Sequence, residues 1–206
     1  MIDFLQFKKH FYEYVCFSVH QAKAVFPKMD KNNLTRWTKQ NYLVQLRNEW
    51  YAFPEYKAKK DYAWYIANKI YQPSYISLHT ALAFYGIIPE EVLQIISVSS
   101  KKTMKFDNHF GHYIYKKIKP ELFFGYDLIP VTEKISVRFA KPEKAILDLL
   151  YLNPYYKTPN DMENLRLDTD FMLNEFDITT FEDFLNAFKS KALKKRAQVM
   201  LKTYDL

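Results

Sequence analysis

Between Asn33 and Phe53 the spacing of apolar residues changes period, and this change constrains the fold more than any other feature of the chain. Leu34 and Trp37 stand three apart in a polar, cationic stretch, which is the spacing of one buried seam on a helix from Asn33 to Gln40. Asn41 follows at the position where a helix commonly ends in a left-handed residue, a place Asn takes when Gly does not. The runs "YLVQLR" and "WYAF" then flank Asn48-Glu49, which predicts two short strands around a tight turn.

The preceding residues supply partners for that helix. Apolar side chains from Phe4 to Val15 recur near the helical period and predict a first helix. Ser18 precedes Gln21 by three, a capping-box spacing, so "VHQAKAVF" reads as a second helix that Pro27 stops. Three helices followed by a hairpin is the order of a winged helix-turn-helix, and the domain is set at residues 1–56. The same elements also occur in proteins with no nucleic-acid role.

The polar break "PEYKAKK", Pro54 to Lys60, sets the boundary to a second domain over residues 61–206. It opens with a helix from Asp61 to Tyr71, ended by Pro73, and continues with "LHTALAFYG", capped by Ser77 and stopped by Gly86. Segments near Gln94–Ser99, His112–Ile118 and Lys134–Phe139 are β-branched or aromatic and of strand length, predicting a small antiparallel sheet. Pro142 sits at the first position of an apolar helix, "EKAILDLLYL", and the chain beyond Pro159 reads as helical. The expected fold class is α+β, a winged helix-turn-helix followed by a mixed α/β domain.

With only 3 Gly but 17 Tyr and 17 Phe in 206 residues, rings must supply much of the buried area. The single cysteine, Cys16, falls in an expected helical segment and reads as a small buried hydrophobe. It has no partner for an internal disulfide, which suits a reducing compartment. No apolar run reaches the ~18 residues of a membrane span, and the first residues lack a secretory pattern. The expectation is a cytoplasmic protein with no membrane partner.

Residues 1–60 hold eleven Lys and Arg against five Asp and Glu, a net +6 out of the chain's +7. Such an excess suits a polyanion, although a merely solvated basic face has the same composition. With Leu34 and Trp37 buried, Asn33, Arg36 and Gln40 form one outward stripe, with Asn32, Thr35 and Lys39 beside it. Asn and Gln match adenine edges and Arg matches guanine. Lys28 and Lys31 before the helix and Arg47 near the wing tip are candidates for phosphate contact.

No motif points to catalysis. The two imidazoles of "HFGH", His109 and His112, lack the accompanying ligands of a metal site. "SVSSKK" offers serines beside solvated lysines rather than an activated nucleophile, and three scattered glycines make no phosphate loop. Glu143 at the start of its helix complements the helix dipole. No enzyme activity, metal or cofactor is expected. Tyr75, Ile76, Leu78, Leu82 and Phe84 read as core, whereas adjacent Phe123 and Phe124, if on a strand, point to opposite faces and offer one ring to a protein partner. Eight acids between Asp161 and Asp183, and six cations between Lys189 and Lys202, read as solvated faces.

"NNLTRWTKQNYLVQLRNEWYAF", "IANKIYQPSYISLHTALAFYGIIPE", "KPELFFGY" and "AKPEKAILDLLYL" resemble the AbiEi-type antitoxins of type IV toxin–antitoxin systems, over about residues 18 to 152. The resemblance implies a winged helix that binds double-stranded DNA at the promoter of its own operon and represses it. It also implies a C-terminal domain that counters a cognate nucleotidyltransferase-like toxin. Two departures stand out: Asn41 where the family tends to have glycine, and a glycine-free wing turn whose Glu49 would repel phosphate. The alternative is a protein-interaction module whose basic N-terminal domain does not bind DNA.

Overall fold

The computed structural model describes residues 2–58 and 60–206. The chain begins with α1 (Phe4–Phe11), a 3₁₀ turn (Tyr12–Tyr14), β1 (Cys16–Ser18), α2 (Val19–Val25) and α3 (Lys31–Lys39), then β2 (Val44–Arg47) and β3 (Trp50–Ala52). The three strands form an antiparallel sheet in the order β1-β3-β2. Ser18 caps α2 through both bonds of a capping box, its hydroxyl accepting from Gln21 N and its own N–H donating to the Gln21 side chain. Asn41 has φ +58°, the left-handed helix end expected of it.

Cys16, expected in a helix, lies instead on β1, paired with Ala52. Three consecutive buried residues, Cys16, Phe17 and Ser18, have no alternation to betray a strand. Burial pushes the Cys16 thiol up to about 12 from its ordinary value near 9.0. The thiol therefore stays protonated in the folded chain while an unfolded one ionises, so its contribution to stability is complete below pH 9 and is lost as pH rises toward 12. A thiol-specific reagent at pH 8 should leave Cys16 unmodified until denaturant is added; rapid labelling of the native chain would contradict this burial.

A 3₁₀ segment (Pro54–Ala58) leads into α4 (Lys60–Ile70), β4 (Ser74–Ile76), α5 (Leu78–Phe84), β5 (Gln94–Ser99), β6 (Met104–Asn108) and β7 (Gly111–Lys117). After another 3₁₀ turn (Pro120–Leu122) come β8 (Tyr126–Thr132), β9 (Ile135–Ala140), α6 (Pro142–Leu152), α7 (Pro159–Glu163), α8 (Thr169–Asn174), α9 (Ile178–Ala187) and α10 (Lys191–Thr203). The second sheet has six strands in the order β6-β7-β5-β4-β9-β8. It is mixed, because β5 pairs with β7 and β4 with β9 in parallel, which corrects the expectation of a small antiparallel sheet. The strands missing from that expectation explain the error. β6 and β8 are the two edges, where exposed residues interrupt the apolar alternation, and β4 is only three residues long.

The sheet is covered on both faces. Tyr75 on β4 sits beside Val98 on β5, and Val98 beside Lys116 on β7, so Tyr115 points to the opposite face from Tyr75. Tyr115 Oη donates to the Ala67 carbonyl of α4 at 2.8 Å, and Tyr75 Oη donates to Asp148 of α6 at 2.8 Å. α5 continues from the short β4 and is tied to β5 by Thr80, whose Oγ1 donates to Gln94 O and accepts from Ile96 N. α6 is walled by α5, α9 and α10 as well as the sheet, and all residues from Glu143 to Leu150 are buried. Gly125, at φ +72°, passes so close to α6 that a Cβ there would meet Lys144 Cγ at 3.0 Å.

Two apolar cores result, and the division between them departs from the sequence boundary. Phe7, Phe11, Phe17, Leu34, Trp37, Leu43 and Phe53 fill the smaller core. Val15, Cys16, Leu46 and Ala52, also from the first 56 residues, join the larger core of the second unit. Asn108 Nδ2 donates to Leu46 O at 3.1 Å, and Lys134 pairs with Glu13 at 3.1 Å across the same junction. Of the break at Pro54 to Lys60, Lys59 lies outside the described residues, and the part before it is a 3₁₀ segment whose Tyr56 packs against both cores. Phe123 and Phe124 are not on a strand; both are half-buried, Phe123 against Tyr75 and Tyr126, Phe124 against Phe184 and Phe188.

Candidate nucleic-acid interface

Most of the residues expected to meet DNA lie on or next to α3. Asp30 caps the helix, accepting from Asn32 N at 3.0 Å and from Asn32 Nδ2 at 3.1 Å. One face of α3 is buried by Leu34 and Trp37, the indole lying 4.8 Å from the Phe7 ring and 5.3 Å from the Phe4 ring between centroids. At its C-terminal end the Trp37 carbonyl accepts from Tyr42 N and Leu43 N, which turns the chain toward β2.

Asn32, Thr35, Arg36, Lys39 and Gln40 are exposed on the other face, and Lys28 is exposed in the segment before the helix. Positions 32, 35, 36 and 39 follow the i, i+3, i+4, i+7 rule and therefore form one stripe. Asn33 does not belong to it. It is 8% exposed, turned inward, and its Oδ1 accepts from Arg36 Nη2 at 3.3 Å. This corrects its expected outward position: Asn33 holds Arg36 from behind, and the exposed stripe is shifted round the helix by one residue. Lys31 opens α3, and its side chain lies outside the described residues. A shallow depression beside the stripe is lined by Ile2, Asp3, Phe4, Arg36, Trp37 and Gln40.

Arg47 also departs from its expected role at the wing tip. Its Nη1 donates to the Ile70 carbonyl at 2.5 Å, and its Cζ lies 4.6 Å from the Phe106 ring and 5.6 Å from the Tyr71 ring. The guanidinium is thus a clasp between β2 and the second unit, where a carbonyl and two ring faces hold it more firmly than water would. The turn between β2 and β3 is short, with Glu49 at φ +65°. Its carbonyl accepts from Val19 N at 2.8 Å and its carboxylate lies 3.7 Å from His20 Nε2, so the turn is fastened to the start of α2. Burial and the neighbouring Glu49 both push the Tyr51 hydroxyl above its ordinary range.

A second polar constellation escaped the sequence reading. Lys144 and Asp148, both wholly buried, form an ion pair inside α6. Tyr75 Oη and Ser77 Oγ each donate to Asp148 Oδ2 at 2.8 Å, and Lys144 Nζ donates to Tyr75 Oη at 2.8 Å. Ser77 is thereby drawn away from capping α5. Burial lowers the Lys144 pKa, with Asp148 opposing, and raises that of Tyr75. Glu143, assigned only to the helix dipole, is buried as well and accepts from Asp177 N at 3.2 Å. The signal for the pair was a Lys and an Asp four apart in an otherwise apolar helix. Phe124 and Phe188 pack over the constellation, with ring centroids 5.0 and 4.9 Å from Lys144 Nζ.

Among the described residues no group of three or more His, Cys, Asp or Glu is arranged to hold a metal ion, and no helix is long and apolar enough to cross a membrane. The chain matches no protein-family model and no curated protein sequence.

Proposed function

We propose that the first unit is a winged helix-turn-helix that binds double-stranded DNA, and that the protein is an antitoxin that represses its own operon and counters a nucleotidyltransferase-like toxin. The observation that supports the DNA-binding part is the order α1, β1, α2, α3, β2, β3 with sheet order β1-β3-β2 and the polar, cationic stripe of α3 turned to solvent. α3 enters the major groove. Arg36 and Gln40 read base edges, with Asn32 and Thr35 beside them, while Lys28, Lys31 and Lys39 neutralise phosphate. Asn33 orients Arg36. The antitoxin part rests on the resemblance of the four motifs and assigns the toxin-directed role to residues 61–206.

The test is titration of the full-length chain with DNA from upstream of its own coding region, beside a scrambled duplex of equal length. Preference for the upstream duplex with a steep salt slope is expected. Arg36→Ala should cost about 1–3 kcal/mol on the upstream duplex and much less on the scrambled one. Equal, weak, salt-insensitive binding to both would overturn the DNA reading. Arg47 clasped inward and an acid at the wing tip favour a second reading, a protein-interaction module. Under it Arg36→Ala leaves DNA behaviour unchanged.

A further inference from the structure

Six lysines, Lys101, Lys102, Lys105, Lys116, Lys117 and Lys119, fall within nineteen residues that contain one acid, Asp107. In the linear sequence they are two groups separated by a hairpin. The register of β6 and β7 brings them together. Met104 pairs with Tyr115 and Lys105 with Ile114, and Lys117 N donates to Thr103 Oγ1 at 3.1 Å. The segment before β6 therefore meets the end of β7 at one corner of the sheet. Five of the six are exposed and Lys116 is half-exposed, and none forms an ion pair with a described acid. Asp107 is turned to the other end of β6, with its carboxylate 2.5 Å from His112 Nδ1.

This corner adjoins the wing. Leu46 lies against Asn108 and Arg47 against Phe106, so β2 advances toward its turn as β6 is followed backward toward Lys105 and Lys102. The wing turn and the lysine corner are thus at the same end of the junction. Tyr71 links them, its ring between Arg47 Cζ at 5.6 Å and Lys101 Nζ at 5.7 Å, and its hydroxyl donating to Lys102 O at 2.8 Å. Glu49 makes the wing tip itself a poor phosphate ligand, and the lysine corner offers exposed cations across the junction from it.

We propose that the lysine corner of β6 and β7 is a second DNA-backbone surface, which takes the phosphates flanking the site read by α3 in place of the wing tip. The inference rests on the DNA-binding reading above. Lysines act there as point charges without base preference, so they add affinity and salt dependence but no sequence discrimination. The second unit, in this arrangement, contributes to holding the duplex as well as to any protein contact.

The test uses the full-length chain, the upstream duplex and its scrambled counterpart, and the variant K101Q/K102Q/K116Q/K117Q. Loss of four phosphate contacts lowers the salt slope by about 3 to 4. The advantage of the native chain over the variant therefore shrinks roughly 100-fold between about 50 and 200 mM salt. The preference for upstream over scrambled DNA should not change, and four Lys→Arg substitutions at the same positions should keep the native slope. If the native chain and Arg36→Ala differ as expected on the upstream duplex but the four-fold Gln variant keeps the native slope, the second surface is refuted while α3 recognition stands. If the native chain binds neither duplex, both readings fall. Far-ultraviolet circular dichroism and the melting temperature of each variant establish that the comparison is between folded chains.

Discussion

Asp148→Asn destabilises the folded chain by about 3–5 kcal/mol, because it leaves the buried Lys144 ammonium without its counter-charge in a site that water does not reach. The asparagine keeps the shape of the carboxylate, but with its oxygen accepting from Tyr75 and Ser77 its amide NH2 faces the Lys144 ammonium, so the loss combines the missing charge with a donor set against a donor while the packing is kept. Adding Lys144→Met to Asp148→Asn should recover part of that stability. Recovery is incomplete because Tyr75 then loses the bond it accepts from Lys144. Equilibrium urea unfolding of the four chains of this cycle reads the coupling.

The pH dependence gives a second handle on the same site. In Asp148→Asn only burial acts on Lys144, so its pKa falls further below that of an unfolded lysine. The folded variant then binds fewer protons than the unfolded one, and its stability must rise with pH up to the unfolded value near 10.4. The native chain, with the pair intact, should show a weaker rise over the same window. Equal effects of Lys144→Met in the native and Asp148→Asn backgrounds would mean that the two groups do not interact.

Trp37→Ala has the other large expected effect, about 3–5 kcal/mol, and its consequence is local. The indole is the floor of α3, packed on Phe4 and Phe7 in the smaller core, and no residue of the larger core substitutes for it. Hydrogen exchange should therefore lose protection first over α1, α2 and α3, while α6 in the larger core keeps its own. Under the DNA-binding reading proposed above, affinity for the duplex would fall with the helix. Arg36→Ala, on the exposed face, should instead leave stability within about 0.5 kcal/mol and, under the proposed DNA-binding reading, change binding alone. A uniform loss of protection in Trp37→Ala would mean that the two cores unfold as one.

The residues shared between the cores make that contrast informative. Val15, Cys16, Leu46 and Ala52 lie early in the chain but are buried with the second unit, and Arg47 is clasped by Ile70, Phe106 and Tyr71. A cut near Pro54 would expose apolar area on both products and release a guanidinium from its partners.

Most of the signals that were legible lie within a few residues of one another, although the expected cap of α5 by Ser77 is not made. The Ser18–Gln21 capping box, the left-handed Asn41, the hairpin at Asn48-Glu49, the stop at Gly86 and Pro142 at the start of α6 are all short-range steric or hydrogen-bonding choices, and each occurs as expected. The buried seam of Leu34 and Trp37 followed from helical spacing alone, and with it the exposed side of α3. What lay beyond reach depends on which distant segments meet. The parallel pairings of β4 with β9 and β5 with β7, the burial of Lys144 and Asp148 under four neighbouring elements, and the capture of Arg47 by Ile70 all need contacts between segments far apart in the chain. A side chain's chemistry is written in the sequence; whether it faces water, a ring or a counter-charge is decided only when the sheet order brings its neighbours into place, and that order decided the lysine corner as well.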